Sequence, residues 1–196
     1  YSDYRGKLNL DKYLGGTHPQ ANFIGLEEFI LDELPKLAAI SEPTFTFAHV
    51  DIPHPPFVFS PDGYLMDPGY WSVPVKGAVD EEHFRAGYIY AVEYINARML
   101  TIVNEILTQS TTPPIIIIQG DHGFGEGDNF PILNAYYLPG IDPELLYPTM
   151  SPVNSFRLVF NTYFDGNLPL LADQSFMVTD VNTPIPESLP GCVTNP

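Results

Sequence analysis

The chain has 196 residues, with 8 Lys and Arg against 24 Asp and Glu, a formal charge of −16 and a pI of about 4.3. That balance excludes a nucleic-acid binder, which needs a basic stripe, and a charge-driven contact with anionic lipid. The length suits one domain with a sizeable core, and with 44% hydrophobic residues the acidity is no sign of disorder.

The 21 prolines are twice the usual share of about 5% and predict many loops. The single cysteine, Cys192, excludes an internal disulfide and a cysteine-based metal site. No apolar run approaches the roughly 18 residues of a membrane span. Residues 1–20 are polar and read as loop. Asn22 is the expected N-cap of a helix whose apolar positions are Phe23, Leu26, Ile30, Leu34 and Leu37, ended or kinked by Pro35.

Thr44–Val50 (TFTFAHV) reads as a strand from its β-branched and aromatic content. Pro53, Pro55 and Pro56 then break regular structure around His54. Residues 60–79 read as loop, with a turn at Pro61-Asp62-Gly63. From Asp80 to about Thr108, Phe84, Tyr88, Ala91, Ile95, Met99, Ile102 and Ile106 recur at helical spacing. Ile115–Ile118 predicts a strand buried on both faces, as in a parallel sheet covered by helices. Asn134–Leu138 predicts a short strand, Ser151-Pro152 the start of a helix to about Phe164, and Phe176–Val178 one further strand. The succession predicts an α/β layout, in which ligands sit beyond the carboxyl ends of strands. His54 and the Asp121-His122 pair both fall just past such ends.

Asp121 and His122 offer one oxygen and one nitrogen donor to a divalent cation, Zn²⁺ or Mn²⁺ before Ca²⁺. Gly120 and Gly123 are expected to let the backbone aim both groups. The competing reading is a tight turn with Asp as cap. His54, held between prolines, suits a group that must be aimed. His49 reads first as a core histidine and second as a substrate-binding residue. Asp51, three residues before His54, reads first as a solvated or capping carboxylate and second as a ligand of a second metal site. Glu126, Asp128 and Asn129 lack calcium-loop spacing and read as a solvated loop. Thr17 and His18 lack a supporting motif, and His83 reads as surface. No dinucleotide fingerprint, Walker A loop or nucleophile elbow is present.

Four segments in order, FAHVDIPHPPFVFSPDG, IIIIQGDHG, PILNAYYLPG and SPVNSFRLVFNTYF, resemble the C-terminal half of a bacterial membrane-anchored sulfatase-like family. That family belongs to the alkaline phosphatase superfamily and is related to lipoteichoic acid synthases and phosphoethanolamine transferases. The resemblance spans roughly residues 40–178. It implies a three-layer α/β/α sandwich with a mostly parallel sheet, incomplete here. The expected parts are a loop and helix over 1–40, the catalytic-domain portion over 41–178 and a proline-rich tail over 179–196.

The resemblance also implies that Asp121 and His122 are metal ligands. His54 matches the histidine facing the transferred phosphoryl or sulfuryl group, with a phosphate or sulfate ester as substrate. The family's nucleophile and first acidic ligand lie on earlier segments and have no counterpart here. The chain therefore reads as a C-terminal portion, binding metal weakly and inactive alone. It would come from an extracytoplasmic protein whose only membrane contact is through N-terminal helices, and an exposed apolar face is expected to support a homodimer. The alternative is a non-catalytic extracytoplasmic binding module.

Overall fold

A computed structural model describes residues 20–66, 81–124 and 131–174, and the backbone of 176–177 and 187–188. The readings of Thr17, His18, the loop over 67–79, Asp80, the Glu126–Asn129 segment and Cys192 lie outside the described residues. The chain divides into two compact units, Tyr1–Thr112 and Pro113–Pro196.

The first unit opens with α1, Ala21–Glu33; the N-cap position is Gln20 and not Asn22, and no side chain caps the helix there. Pro35 cannot donate to the helical ladder, and the helix tightens into a 3-10 turn over Leu34–Ala39, with the proline in its first turn. The second helix, α2, runs over Glu81–Gln109, with Glu81 and Glu82 in its first turn, where carboxylates suit the helix dipole. Ala91, Ile95 and Ile102 are buried, and Phe84, Tyr88, Met99 and Ile106 pack against them. The predicted face of this helix is the observed one.

On α1 the face differs: Ile24, Glu27 and Leu31 are buried, and Leu26 is exposed. Between the helices, Ile52, Phe57, Val58 and Phe59 enter the same core. Phe59 stacks on Tyr94 at 4.4 Å, an arrangement favoured for aromatic pairs. An isolated bridge between Phe59 and Leu65 closes a turn in which Gly63 takes φ of +81°. A positive φ is readily adopted only by glycine.

In the second unit, β1 (Ile116–Gln119) pairs antiparallel with β2 (Asn134–Tyr137), with Ile116 opposite Tyr137 and Gln119 opposite Asn134. The helix α3, Pro152–Tyr163, starts with its proline in the first turn as expected. Leu138, Met150, Leu158 and Val159 form the core of this unit. A second antiparallel pair joins β3 (Phe176–Met177) to β4 (Glu187–Ser188).

The three-layer sandwich with a mostly parallel sheet is therefore corrected. The described residues hold three α-helices and two antiparallel strand pairs. Ile116–Ile118 are only half-buried, and an apolar run reads alike for a central parallel strand and a strand covered on one side. Thr44–Val50 joins no ladder and exposes Phe45 and Phe47 at 81% and 79%. β-Propensity expresses fit to a half-buried pleated surface, and no neighbouring strand supplies one among the described residues. No helix among the described residues is long and apolar enough to cross a membrane.

Candidate functional site

Asp121 is the second residue past the end of β1. The ladder is prolonged by one bond, from the Gly120 amide to the Leu133 carbonyl at 2.9 Å. Side chains brace the strand end beneath it. Gln119 Nε2 donates to Asn134 Oδ1 at 2.9 Å and to Ser155 Oγ at 3.3 Å. Ser155 Oγ also meets the Tyr136 hydroxyl at 2.6 Å. Asn134 Nδ2 donates to the Met150 carbonyl at 3.2 Å. This network ties the strand pair to α3. A Cβ at position 120 would meet only ordinary contacts, the nearest at 3.7 Å. Gly120 also takes no positive φ, so the backbone freedom expected of a glycine here is not called on.

The Asp121 carboxylate is folded over its neighbour. Oδ1 accepts the His122 amide at 2.9 Å, and Oδ2 lies 3.9 Å from His122 Nε2. His122 Nδ1 is 2.9 Å from the Gly123 carbonyl. A carbonyl only accepts, so Nδ1 carries the hydrogen, and in the neutral ring Nε2 keeps its lone pair. That is the arrangement of a metal-binding histidine oriented by a backbone carbonyl. Two donors on a tetrahedral cation with bonds of ~2.1 Å stand ~3.4 Å apart. The observed 3.9 Å is within a small side-chain rotation of that. The side chains are 84% and 60% exposed. The pair fits a divalent cation in donor type and spacing, and falls short in number. Among the described residues no group of three or more His, Cys, Asp or Glu side chains could hold a metal ion.

His54 belongs to the first unit and is exposed. Its amide donates to the Asp51 carbonyl at 2.6 Å, closing a turn. Its Nδ1 donates to the Pro55 carbonyl at 2.7 Å, which leaves Nε2 as the ring nitrogen open to a ligand. Buried Ile52 and Phe57 anchor the turn on either side. His49 is no core histidine: its side chain is 71% exposed and its Nε2 lies 3.0 Å from Asp51 Oδ1. Asp51 thus meets His49 through its carboxylate and accepts from the His54 amide through its backbone carbonyl.

Glu27 escaped the sequence reading. It is 1% exposed, with Oε1 accepting the Asp51 amide at 3.3 Å and Oε2 without a hydrogen-bond partner. Burial pushes its carboxyl above the ordinary glutamate value. The Asp51 amide opposes that shift, and the Asp51 carboxylate adds to it. Beside it runs a groove of about 450 Å³ between α1 and residues 46–51, lined by Leu26, Ile30, Leu34, Phe47 and His49 among others. The signal was present: Ile24, Glu27 and Leu31 share one helical face. A charged residue at the middle position argued against reading that face as buried.

The structure thus joins Asp121 to His122, and Glu27, His49 and Asp51 to the turn of His54. The two groups belong to separate units. Comparisons with protein-family models, with curated proteins and with solved structures give no match.

Proposed function

We propose that this chain is the C-terminal part of a metal-dependent phosphoryl- or sulfuryl-transferring hydrolase or transferase. Its parent protein would be membrane-anchored and extracytoplasmic, as the resemblance implies. One observation carries the reading: Asp121 Oδ2 and His122 Nε2 lie 3.9 Å apart at a strand end, with Nδ1–H committed to the Gly123 carbonyl.

Asp121 and His122 would hold the cation, which supplies polarisation of the transferred group and a lowered nucleophile pKa. By the resemblance, His54 would be the substrate-facing histidine, with Nε2 as its open ring nitrogen. As imidazolium it donates to a phosphoryl or sulfuryl oxygen, and as neutral imidazole it accepts a proton. His49 is linked to the same turn through Asp51, whose Oδ1 lies 3.0 Å from its Nε2. With a charge of −16, attraction of an anionic ester is local to the cation and not a property of the global field. The nucleophile and further ligands are assigned to a preceding part of the parent protein, so this chain alone binds metal weakly and is inactive.

A second reading, a non-catalytic extracytoplasmic interaction module, draws on the exposure of Phe45 and Phe47 at 81% and 79%. The same apolar exposure favours a homodimer. Elemental analysis separates the two readings, run on this chain and on the longest form its gene encodes. The enzyme reading expects near-stoichiometric Zn²⁺ or Mn²⁺ in the long form, lost in Asp121→Ala. Full metal content in Asp121→Ala sinks the site assignment. Metal-independent binding to cell-envelope material, with no metal in either form, favours the module.

A further inference from the structure

We infer that Glu27 is a positioning residue for His54: its buried carboxyl on α1 anchors the Asp51 amide, and Asp51 in turn holds His54. The inference rests on the reading of His54 as the substrate-facing group. The chain of contacts is short. Glu27 Oε1 accepts the Asp51 amide at 3.3 Å, and the Asp51 carbonyl accepts the His54 amide at 2.6 Å.

Packing alone does not account for a glutamate at this position. Its neighbours on the inward face of α1, Ile24 and Leu31, are apolar and buried at 8% and 0% exposure. A leucine or methionine between them would bury apolar surface at no electrostatic cost, whereas a buried carboxyl is expensive unless it is hydrogen-bonded. Among the described residues the Asp51 amide donates to this carboxyl at 3.3 Å, and the adjacent Ile52 amide also favours its charged form. Residues 44–49, which lead into the turn, are exposed and outside any ladder, so they cannot hold His54 in place. Glu27 ties the start of the turn to α1, while buried Ile52 and Phe57 fix its body. The ring nitrogen that faces solvent is therefore referenced to a helix and not to a loop.

The test is amide hydrogen exchange and imidazole ¹⁵N shifts in this chain, without metal or substrate. A wrong role for His54 in the reaction would leave these readings intact, and the two failures stay distinguishable. In Glu27→Met, a volume-matched variant without an acceptor, the Asp51 and His54 amides should exchange about tenfold faster or more, as for loss of one hydrogen bond. The His54 ring nitrogens should drift toward a tautomer mixture, and the Ile95 and Ile102 amides of α2 should stay protected. Glu27→Gln keeps an acceptor oxygen and should restore all of these to near the wild-type values.

Unchanged Asp51 and His54 exchange in Glu27→Met overturns the inference. So does a Glu27→Gln variant as loose as Glu27→Met. If Glu27→Met also loses protection across α2, the decision passes to the Asp51→Asn chain, where His49 is the remaining titratable group facing Glu27. There the Glu27 carboxyl carbon and the residue 51 amide should titrate with one midpoint, and two separate midpoints overturn the inference.

Discussion

Gly87 of α2 lies so close to Phe57 that a Cβ at position 87 would overlap the Phe57 ring. Phe57 is 3% exposed and packs edge-on against Phe84, with ring centroids 5.1 Å apart. The glycine is therefore the gap into which the loop carrying His54 is seated. Gly87→Ala gains about 1 kcal/mol of helix propensity and loses about 1–3 kcal/mol to overpacking. The expected net result is a less stable chain with shifted His54 amide and ring signals. Urea unfolding followed by circular dichroism checks the sign, and a stabilised variant would refute the close fit.

Glu27 makes the first unit sensitive to rising pH. Burial raises its carboxyl above the ordinary 4.5, so the folded chain keeps a proton that the unfolded chain releases. The associated stability is fully present below pH 4.5 and is lost as pH rises through the folded value. Exchange of α2 amides should report a fall in stability over that window in the wild type. Glu27→Gln should abolish that part of the slope.

Asp173 gives the second unit the opposite dependence. Burial would raise its carboxyl, but the Ser151 hydroxyl and amide, the Tyr147 hydroxyl and the Asn154 side-chain amide together hold it below the ordinary 3.8. The bonds are short: 2.6 and 2.7 Å from Ser151 Oγ and N, and 2.6 Å from Tyr147. Its stability is present above pH 3.8 and is lost as pH falls through the folded value. Asp173→Asn should cost about 1–3 kcal/mol at neutral pH and flatten the acid limb, read from Leu158 and Val159 amide exchange. An unchanged acid limb would show that the network does not depend on the charge.

Asp165, two residues past the end of α3, takes φ of 52°, and the Gly166 amide returns to the Phe160 carbonyl at 3.0 Å. This is the left-handed helix cap, where glycine has no Cβ penalty. Asp165→Gly should raise stability by about 0.5–1 kcal/mol, visible as a higher thermal midpoint. A lower midpoint would assign Asp165 a contact that offsets its backbone strain.

Local periodicity made α2 and α3 readable before any contact was known. Phe84, Tyr88, Ala91, Ile95, Met99, Ile102 and Ile106 mark one stripe, and Pro152 suits a first helical turn. The same reading placed Asn134–Leu138 within one residue of β2. It also singled out Asp121, His122 and His54, all exposed: each histidine ring is oriented by a carbonyl one residue on, and the Asp121 carboxylate by the His122 amide. It missed Glu27, because a carboxylate in an amphipathic helix is read as solvent-facing.

What the sequence determined by itself is what adjacent residues decide among themselves: helix stripes, proline boundaries, turns and the Asp-His spacing. Only the tertiary structure decided which strands pair, that Ile116–Ile118 lie antiparallel to Ala135–Tyr137, and that Thr44–Val50 stays outside a ladder. It alone decided that Glu27 is drawn inward beneath the Asp51 amide. Strand partners and buried polar contacts are chosen by residues distant along the chain, with separations of 24 positions for Glu27 and Asp51. A helix stripe is complete within two turns, but a strand or a buried carboxyl acquires its character from whatever the rest of the fold sets against it.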